Sequence, residues 1–519
     1  MAEIHEALRL KGITKVYPNG VVANRDVNFS VSIGEIHALS GENGAGKTTL
    51  MKILFGEEKP TAGEIFIDGD KVNIQNPSAA IRLGIGLVHQ HFMLVPSLTV
   101  TENLILGIEP VKGLRIDERK AREQVSEISK KYHLIVDPDA KVRDLTVGQK
   151  QKVEILKTLL RGVRILILDE PTAVLTPQET KELFYELKLL RSAGYTIIFI
   201  SHKLNEIKEL CDRITIIRHG QTVGVFQVDS VSEDEISRMM VGRSVKLKIE
   251  KGPAHPGPAA IKVRGLTVLD DSGKSKLRDV SFMARRGEIF GVAGVEGNGQ
   301  AQLADALTGM GAYQSGTIEI NGLNISGKTV REIRDQKLSH IPEDRMKTGI
   351  APRLSIENNV ITDKIFRKEF NRFGFLDLKR ISAYGLEMVK RFRVFCQSAQ
   401  VHVNSLSGGN IQKVVLAREI SSDPDVIIAN QPTRGVDVGA MEFIRQELIK
   451  MRNCGKTVFL ISSDLGEILG LSDSLIVLYE GAITAYFPDA SMVTEDELGR
   501  YMLGVQKQSE MEIRMANHE

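Results

Sequence analysis

The chain contains two copies of one glycine-rich segment, and this duplication limits the folds open to it. The run GENGAGKT at residues 41–48 fits the phosphate-loop pattern G-x-x-x-x-G-K-[ST]. The run GVEGNGQA at residues 294–301 has the same glycine spacing but lacks the lysine and the hydroxyl. Lys47 and Gln300 stand at the same place in the two runs, 253 positions apart. Such a repeat predicts two copies of one domain rather than a single large domain.

The repeat continues along the chain with one change of spacing. Tyr17 and Asp270 are also 253 positions apart, as are Gln90 and Glu343. Later pairs are separated by 261 positions; they are Thr146 and Ser407, Asp169 and Asn430, Glu170 and Gln431, Thr176 and Asp437, and His202 and Ser463. The second copy therefore contains an eight-residue insertion between Glu343 and Ser407.

The length of the chain agrees with two domains. At 519 residues it exceeds the ~250–300 residues at which a single core usually divides. A stretch rich in proline and glycine interrupts the hydrophobic pattern and predicts a linker at residues 246–258. We therefore expect one domain at 1–245, a second at 259–505, and a charged, solvated tail, helical or frayed, at 506–519.

Charge and cysteine content exclude several classes of protein. The net charge is only +2 and the charges are interspersed, which argues against a nucleic-acid-binding surface. The three cysteines, Cys211, Cys396 and Cys454, lie far apart, which indicates a reducing compartment and no structural metal. The polar N-terminus does not resemble a signal peptide, and no apolar run approaches the ~18 residues of a membrane-spanning helix. We expect a soluble chain whose membrane role, if it has one, comes through partners.

The first glycine-rich run is predicted to bind a nucleoside triphosphate. A short apolar strand at residues 35–39 leads into it, and a helix follows from Lys47. Glycine lets backbone N–H groups close around phosphate oxygens, and the helix N-terminus adds partial positive charge. Lys47 would reach the β- and γ-phosphates, and Thr48 would hold Mg²⁺. The predicted ATP-binding residues of this segment are Gly41, Glu42, Asn43, Gly44, Ala45, Gly46, Lys47, Thr48 and Thr49.

Two further apolar strands of the first copy end in polar residues. Residues 164–170 form one strand ending in Asp169 and Glu170, and Tyr195–Ile200 forms another, followed by His202. Alone, two such carboxylates could equally cap a helix, and a lone histidine is more often structural. After a phosphate loop, we expect Asp169 to hold the metal, Glu170 to deprotonate the attacking water and His202 to contact the γ-phosphate.

Taken together, these motifs resemble the ATP-binding-cassette (ABC) family over about residues 5–505. The family's L-S-G-G-Q-type signature motif appears as LSGGN at residues 406–410. The resemblance implies an α/β fold with a RecA-like core and an inserted helical subdomain in each domain, at about 91–160 and 344–418. It also implies an intramolecular head-to-tail pseudo-dimer, in which the signature motif of one domain contacts the ATP held by the other.

The resemblance assigns further residues. Tyr17 would stack on adenine, Gln90 would sense the γ-phosphate and Mg²⁺, and Asp437 would lie at the interface between the domains. In this arrangement the intact motifs form one site; they are Tyr17, Lys47, Thr48, Gln90, Asp169, Glu170, His202, Ser407, Gly408, Gly409 and Asp437. The altered motifs form the other site; they are Asp270, Gln300, Ala301, Glu343, Asn430, Gln431, Ser463, Thr146, Val147, Gly148 and Thr176.

Segregation of the intact motifs predicts one hydrolytic site, with Lys47, Gln90, Glu170 and His202 as its catalytic residues and Thr48, Gln90 and Asp169 as its Mg²⁺ ligands. The second site would bind nucleotide weakly or hold it without turnover. Losing the lysine and both carboxylates there removes phosphate binding, metal binding and the base. The added charges of Glu343 and Asp270 would repel a polyphosphate.

A fused pair of one intact and one degenerate cassette is similar to the ATPase subunits of bacterial importers for simple sugars and nucleosides, and residues 88–103 resemble the nucleoside branch. The resemblance implies two transmembrane permease subunits, a substrate-binding protein acting through them, and a peripheral position on the cytoplasmic face of the membrane. It implies no nucleic acid and no direct contact with the transported substrate. Sugar import remains an alternative, as does a soluble ATPase acting on ribosomes or DNA.

Overall fold

The computed structural model describes residues 5–18, 20–42, 44–90, 92–113, 115–172, 175–242, 249–270 and 273–516. The chain divides into two compact units, residues 1–245 and 246–519, and each is described by itself.

The first unit combines strands and helices along the whole of its length. Its strands are β1 (Glu6–Val16), β2 (Val22–Ser32), β3 (Ile36–Ser40), β4 (Ala62–Ile67), β5 (Asp70–Val72), β6 (Ile85–Val88), β7 (Val111–Lys112), β8 (Arg115–Ile116), β9 (Ile165–Asp169), β10 (Thr196–Ile200), β11 (Arg213–Arg218) and β12 (Gln221–Gln227). Its helices are α1 (Lys47–Leu54), α2 (Pro77–Arg82), α3 (Val100–Ile105), α4 (Glu118–Lys131), α5 (Val147–Leu159), α6 (Pro177–Ser192), α7 (Leu204–Leu210) and α8 (Glu233–Val241).

The nucleotide-binding motifs of the first unit lie along one central sheet. Its order is β12-β11-β3-β10-β9-β6, parallel except for the edge strand β12. Strands β3 and β10 are buried along their whole length, as expected for a parallel sheet covered on both faces. A second, antiparallel sheet has the order β2-β1-β4-β5. The carboxyl ends of β3, β6, β9 and β10 therefore lie side by side, where polar residues follow each strand.

A mainly helical segment is inserted between β6 and β9. It contains α3, the short hairpin of β7 and β8, α4 and α5. Asp117 begins α4 by accepting a hydrogen bond from the backbone of Lys120, and Thr146 begins α5 with a reciprocal capping box to Gln149. The predicted inserted subdomain is thus present at the expected place.

The second unit repeats this sequence of elements. Its strands are β13 (Ala259–Leu269), β14 (Ser275–Arg285), β15 (Ile289–Ala293), β16 (Ser315–Ile320), β17 (Leu323–Asn324), β18 (Leu338–Ile341), β19 (Asn371–Arg372), β20 (Phe375–Leu376), β21 (Val426–Asn430), β22 (Thr457–Ile461), β23 (Ser474–Tyr479) and β24 (Ala482–Phe487). Its helices are α9 (Gln300–Thr308), α10 (Val330–Asp335), α11 (Ile356–Val360), α12 (Leu378–Arg391), α13 (Gly408–Ile420), α14 (Val438–Asn453), α15 (Leu465–Leu471), α16 (Glu495–Met502) and α17 (Glu510–Ala516).

The central sheets of the two units share one topology. The order β18-β21-β22-β15-β23-β24 repeats that of the first unit strand for strand, again with an antiparallel edge strand. The core of the second sheet includes a stack of Phe282, Phe290 and Phe459, with ring centres 5.3 to 5.7 Å apart. The prediction of an α/β protein with two tandem domains of one fold is confirmed.

Both segments that the sequence set apart from the two domains pack against the second unit. In the linker, Lys251 forms an ion pair with Asp473 at 3.2 Å. In the predicted tail, the backbone N–H of Gln508 donates to the carbonyl of Thr484 at 2.9 Å, and its side chain accepts from the backbone of Tyr486. Gln508 thus holds the start of this segment against β24, and most of the segment, including α17, is exposed.

Candidate nucleotide sites

The first glycine-rich loop connects β3 to α1. Gly46 precedes the helix with φ 101°, and a Cβ atom there would lie 2.4 Å from the carbonyl oxygen of Ala23, so no larger residue fits. Lys47 is buried, and its Nζ donates to the carbonyl oxygens of Gly41 at 2.6 Å and Glu42 at 3.0 Å. The lysine therefore folds back over the loop, as a phosphate-binding lysine must.

The remaining residues of this loop differ in exposure. Gly44 and Thr48 are exposed, Thr49 is half-buried and Ala45 is buried against the core. Asn43 lies outside the described residues. A ligand can therefore reach the first turn of α1 from the side on which Thr48 stands.

Tyr17, the predicted adenine contact, lies beside the same helix. Its ring is half-buried, its hydroxyl is 3.4 Å from the hydroxyl of Thr49, and the ammonium of Lys15 is 5.2 Å from the ring centre. At the matching position of the second unit, Asp270 instead forms an ion pair with Lys276 at 3.5 Å. Only the first unit has an aromatic ring at this position.

Glu170, Gln90 and His202 come together at the carboxyl edge of the first sheet. One carboxylate oxygen of Glu170 is 2.9 Å from Nδ1 of His202, and the other accepts from the side-chain amide of Gln90 at 3.0 Å. Glu170 has φ 47°, and its backbone N–H donates to the carbonyl of Ile200 at 3.0 Å. Because β6, β9 and β10 are adjacent, three predicted residues from separate parts of the sequence meet in one cluster.

The two neighbouring carboxyls of this cluster have different acidities. Burial raises the pKa of Asp169 to about 6, the charge of Glu170 adds to the rise, and Lys47 opposes it. Burial also acts to raise the pKa of Glu170, but the hydrogen bond and charge of His202, together with Lys47, hold it below its ordinary value. Glu170 is therefore ionised at neutral pH, as a base must be.

The second unit has the same loop with a neutral side chain in place of the ammonium. Gly299, with φ 106°, precedes α9, and Gln300 is buried like Lys47. The side-chain amide of Gln300 donates to the carbonyl of Val295 at 3.1 Å. Val295 is the counterpart of Glu42, so Gln300 repeats one of the lysine's two contacts without its charge.

An ionic cluster spans the second site. The guanidinium of Arg434 is paired with the carboxylate of Glu343 and lies 3.3 Å from that of Glu296 in the glycine-rich loop. Arg434 and Glu343 stand where the first unit has Ala173 and Gln90. The sequence predicts that the charge of Glu343 repels a polyphosphate. In the structure Arg434 pairs with this carboxylate, but the same cation is shared with Glu296. Sequence reasoning missed Arg434, although it stands three residues after Gln431.

The strand ends of the second site have the same backbone geometry as those of the first, but different side chains. Asn430 is buried at the end of β21, and Gln431 has φ 51°, as Glu170 does. The amide oxygen of Gln431 accepts from the backbone and hydroxyl of Ser463 at 3.1 and 3.2 Å. On α9, Ala301 is exposed at the first turn and has no hydroxyl for a metal. Asn430, Gln431 and Ser463 thus supply no ionisable base, and the carboxylate of Glu343 is paired with Arg434.

The signature motif begins α13 in the second unit. Ser407 is the N-cap residue of α13 and accepts no capping hydrogen bond from the backbone of this helix. Its hydroxyl instead accepts from the side-chain amide of Asn410 at 2.9 Å. The amide oxygen of Asn410 accepts from the backbone of Phe395 at 2.8 Å. Asparagine thus orients the serine and holds the preceding loop in place.

The two signature glycines are closely surrounded. A Cβ atom at Gly408 would lie 2.7 Å from the guanidinium of Arg345, and one at Gly409 would lie 2.5 Å from the carboxylate of Asp437. Asp437 also caps α14 by accepting from the backbone of Ala440 at 2.7 Å. The structure therefore brings Ser407, both glycines and Asp437 together.

In the first unit, a carboxylate already occupies the matching helix N-terminus. The backbone N–H of Gly148 donates to Glu179 at 3.2 Å, and the other oxygen of Glu179 accepts from the backbone of Thr176 at 3.0 Å. Thr146 and Gln149 complete the capping of α5. A phosphate at this N-terminus would have to displace the chain's own anion. Glu179 was also missed, although Thr176 and Glu179 have capping-box spacing in the sequence.

Comparison with known proteins identifies the family. A family model described as ABC transporter matches residues 24–173 and 277–434, more than half of the chain. The chain belongs to this family. The predicted enzyme class, an ATPase of the ABC transporter family, is confirmed.

Several relatives are similar over nearly their whole length. The nucleoside import ATP-binding protein NupA of Lactococcus lactis is 45% identical over 93% of this chain and 95% of its own. The guanosine import ATP-binding protein NupO of Bacillus subtilis is 46% identical over 96% and 97%. The ribose import ATP-binding protein RbsA 1 of Rubrobacter xylanophilus is 39% identical over 95% and 97%.

Among solved structures, an archaeal ribosome recycling factor in complex with a ribosomal stalk protein has a TM-score of 0.60 at 20% identity, over 92% of this chain and 90% of its own. At this identity the likeness concerns the fold alone. Within the described ranges, no helix combines the length and apolar character needed to cross a membrane.

Proposed function

We propose that the chain is the ATP-hydrolysing subunit of a bacterial importer for nucleosides, with a single hydrolytic site. The observation that carries this proposal is the contrast between the two strand-end clusters. In the first unit Glu170 contacts both Gln90 and His202, whereas in the second Gln431 contacts Ser463. At the position of Glu170 the second unit has an amide, and the carboxylate of Glu343, at the counterpart of Gln90, is paired with Arg434.

In the proposed reaction, the first unit binds ATP and activates water. Lys47 stabilises negative charge on the β- and γ-phosphates, and the amides of the glycine-rich loop bind their oxygens. Glu170 accepts the proton of the attacking water. His202 holds this carboxylate in position and contacts the γ-phosphate when ATP is bound. A positioned base of this kind contributes ~10²–10⁴ in rate.

The residues expected to hold Mg²⁺ suit that ion. The hydroxyl of Thr48, the amide oxygen of Gln90 and the carboxylate of Asp169 are hard oxygen donors. Burial raises the pKa of Asp169 to about 6, so a cation beside it would offset the cost of burying its charge. When bound, Mg²⁺ would neutralise charge on the phosphate oxygens.

We infer that the second unit completes this site in a head-to-tail arrangement. Ser407, Gly408, Gly409 and Asp437 would face the ATP held by the first unit. The opposite pairing would bring the α5 N-terminus, where Gly148 donates to Glu179, against a loop whose lysine is replaced by Gln300. That second site would hold nucleotide weakly or without turnover.

Relatives support the choice of substrate. Two import proteins named for nucleosides or guanosine are 45% and 46% identical to the chain, whereas those named for glucose, xylose and ribose are 38% to 41% identical. Nucleoside import is therefore favoured, and import of a simple sugar is the alternative. A soluble ATPase acting on ribosomes is disfavoured, because the likeness to the recycling factor is one of fold.

The proposed partners are two transmembrane permease subunits, with a substrate-binding protein acting through them and no substrate contacting this chain. The chain would lie on the cytoplasmic face of the membrane. We propose residues 96–107 and 352–362, which contain α3 and α11, as the docking segments. Leu106 and Leu354 are exposed there and offer apolar contacts.

The test is uptake of labelled nucleosides, pentoses and hexoses by cells whose only copy carries Glu170→Gln. Gln431→Glu, at the matching position of the other unit, is the control. The proposal is supported if Glu170→Gln abolishes the uptake of nucleosides but not of sugars, and Gln431→Glu leaves nucleoside uptake intact. Loss of sugar uptake instead would support an importer with a different substrate. Unchanged uptake of every compound would overturn the transport function.

A further inference from the structure

A short hairpin in the helical subdomain of the second unit exposes two aromatic rings. In this hairpin, formed by β19 and β20, Asn371 pairs with Leu376 and Arg372 with Phe375. Phe373, in the turn, has a relative exposure of 101%, and Phe375 one of 81%. At the base of the hairpin, Phe370 is instead buried beside Tyr384, with ring centres 5.2 Å apart. Phe370 anchors the hairpin, and the two exposed rings contribute nothing to that anchoring.

The backbone of this turn disfavours phenylalanine. Phe373 has φ 54° and Gly374 has φ 88°, so both turn residues adopt the left-handed conformation. Two-residue hairpin turns of this kind strongly prefer Asn-Gly, because a bulky side chain is strained at positive φ. A strained and fully exposed ring is costly to keep, and such outliers point to a contact made outside the unit.

Positive charge surrounds the exposed rings. Residues 366–380 contain five cations and two carboxylates, in a chain whose total net charge is only +2. Arg367, Lys368, Lys379 and Arg380 are all exposed, on the segments before and after the hairpin, and Arg380 is paired with Glu369 at 2.6 Å. Aromatic rings flanked by cations match the interface of an anionic bilayer, where rings lie at headgroup depth and cations meet lipid phosphates.

The first unit provides an internal comparison. Its own hairpin, β7 and β8, has Gly113 with φ 66° where the second unit has Phe373, and Arg115 where it has Phe375. Residues 106–120 contain no aromatic residue and nearly equal numbers of cations and carboxylates. The shared fold therefore does not require exposed aromatic rings in this hairpin.

We propose that the second-unit hairpin is a lipid contact, which inserts Phe373 and Phe375 into the interface of a bilayer containing anionic phospholipid. The rings stand on a convex turn with cations on both sides, which suits a deformable surface of distributed negative charge. The sequence suggested membrane attachment through partners alone; this hairpin adds a direct attachment. It depends neither on ATP hydrolysis nor on the transported substrate.

The experiment is flotation of the purified full chain with vesicles of phosphatidylcholine, alone or with about one third phosphatidylglycerol. The variant is Phe373→Asn with Phe375→Ser; because asparagine suits the turn, its melting temperature should match that of the wild type. The matched control is Phe395→Ser, which removes a ring of 86% exposure outside the hairpin. Burial of two rings predicts that the double variant loses at least about tenfold in partition coefficient.

Binding to the anionic vesicles that weakens with salt, is lost in the double variant and is retained by Phe395→Ser supports the proposal. Equal binding to both vesicle types would overturn the match to anionic lipid. Equal losses in the two variants would show that the hairpin is not the contact. The chain could also fail to bind pure lipid vesicles and yet bind membranes that contain the permease, in a way that depends on the hairpin. That result would replace the lipid with a protein partner.

Discussion

The carboxyl edges of the two parallel sheets have one backbone and two different sets of side chains. Glu170 and Gln431 have φ 47° and 51°, and each donates its backbone N–H to the end of the neighbouring strand. Around Glu170 stand a histidine, a glutamine and a lysine, whereas around Gln431 stand serine and neutral or ion-paired groups. The two sheets thus share the backbone geometry of the site and differ there in a few side chains.

The comparison also shows how the altered motifs are stabilised. In the second glycine-rich loop, Glu296 contacts Arg434. At the α5 N-terminus, Glu179 accepts from Gly148. Internal ionic and capping interactions have taken positions where the intact motifs would contact nucleotide. The altered motifs are therefore organised structures rather than damaged copies.

The largest expected difference between the units is in catalysis. Glu170→Gln removes the base and should lower ATP turnover by ~10²–10⁴-fold. Gln431→Glu restores a carboxylate without its lysine or histidine and should leave turnover within about twofold. Both are measured as phosphate release by the purified full chain or its complex. A large gain with Gln431→Glu would break the comparison, because it would reveal a second competent site.

The next difference concerns pH. His340 is buried in β18, where the first unit has Leu87, and burial lowers its pKa to about 4, with Glu419 opposing. In the unfolded chain the imidazole of His340 has a pKa near 6.5, so as pH falls it binds a proton there before it does so in the folded unit. The second unit therefore loses stability between pH 6.5 and 4. The loss should be about 2 kcal/mol by about pH 4.5. His340→Leu should flatten this slope in urea unfolding, and an unchanged slope would contradict the assignment.

A smaller effect is expected at the α5 N-terminus of the first unit. Glu179→Ala removes a capping carboxylate from both α5 and α6 and should lower stability by about 1 kcal/mol. ATP turnover should be unchanged, since Glu179 contacts Gly148 of the altered motifs and none of the intact ones. Glu182→Ala, on the same helix but largely exposed, is the control and should have little effect on the melting temperature. Equal losses in the two variants would argue against specific capping.

The smallest effect is expected for the ionic cluster of the second unit. Arg434 is 38% exposed and its partners Glu296 and Glu343 are 51% and 30% exposed, so solvent screens these pairs. Arg434→Gln should lower stability by less than about 1 kcal/mol, and the difference should shrink as salt is added. Thermal melting at low and high salt measures this. A large, salt-independent loss would mean that the cluster is a core element.

Much of the architecture could be predicted because it depends on local patterns. The two glycine-rich runs, the apolar strands and the acidic pair after β9 each have a short-range signal. Their repetition, at 253 positions and then at 261, fixed the correspondence between the units. Adjacency of parallel strands then brought Gln90, Glu170 and His202 together as expected.

Other features depend on long-range contacts that short patterns do not report. Arg434 meets Glu296 across 138 positions, and Glu179 meets Gly148 across 31. The attachment of the predicted tail to β24 and the exposure of Phe373 likewise follow from packing. From the sequence alone, Glu343 is expected to repel a polyphosphate. Its pairing with Arg434 becomes visible only in the fold, which brings the two side chains together.

The left-handed backbone at Gln431 has a practical consequence. A conformation that costs of order 1–3 kcal/mol at a non-glycine residue is present here, although the side chain is an amide and not a carboxylate. The second unit therefore remains a near-complete template, in which designed replacement of a few side chains could be attempted without rebuilding any loop. The proposed inactivity of this site would then lie in its side chains rather than in its backbone.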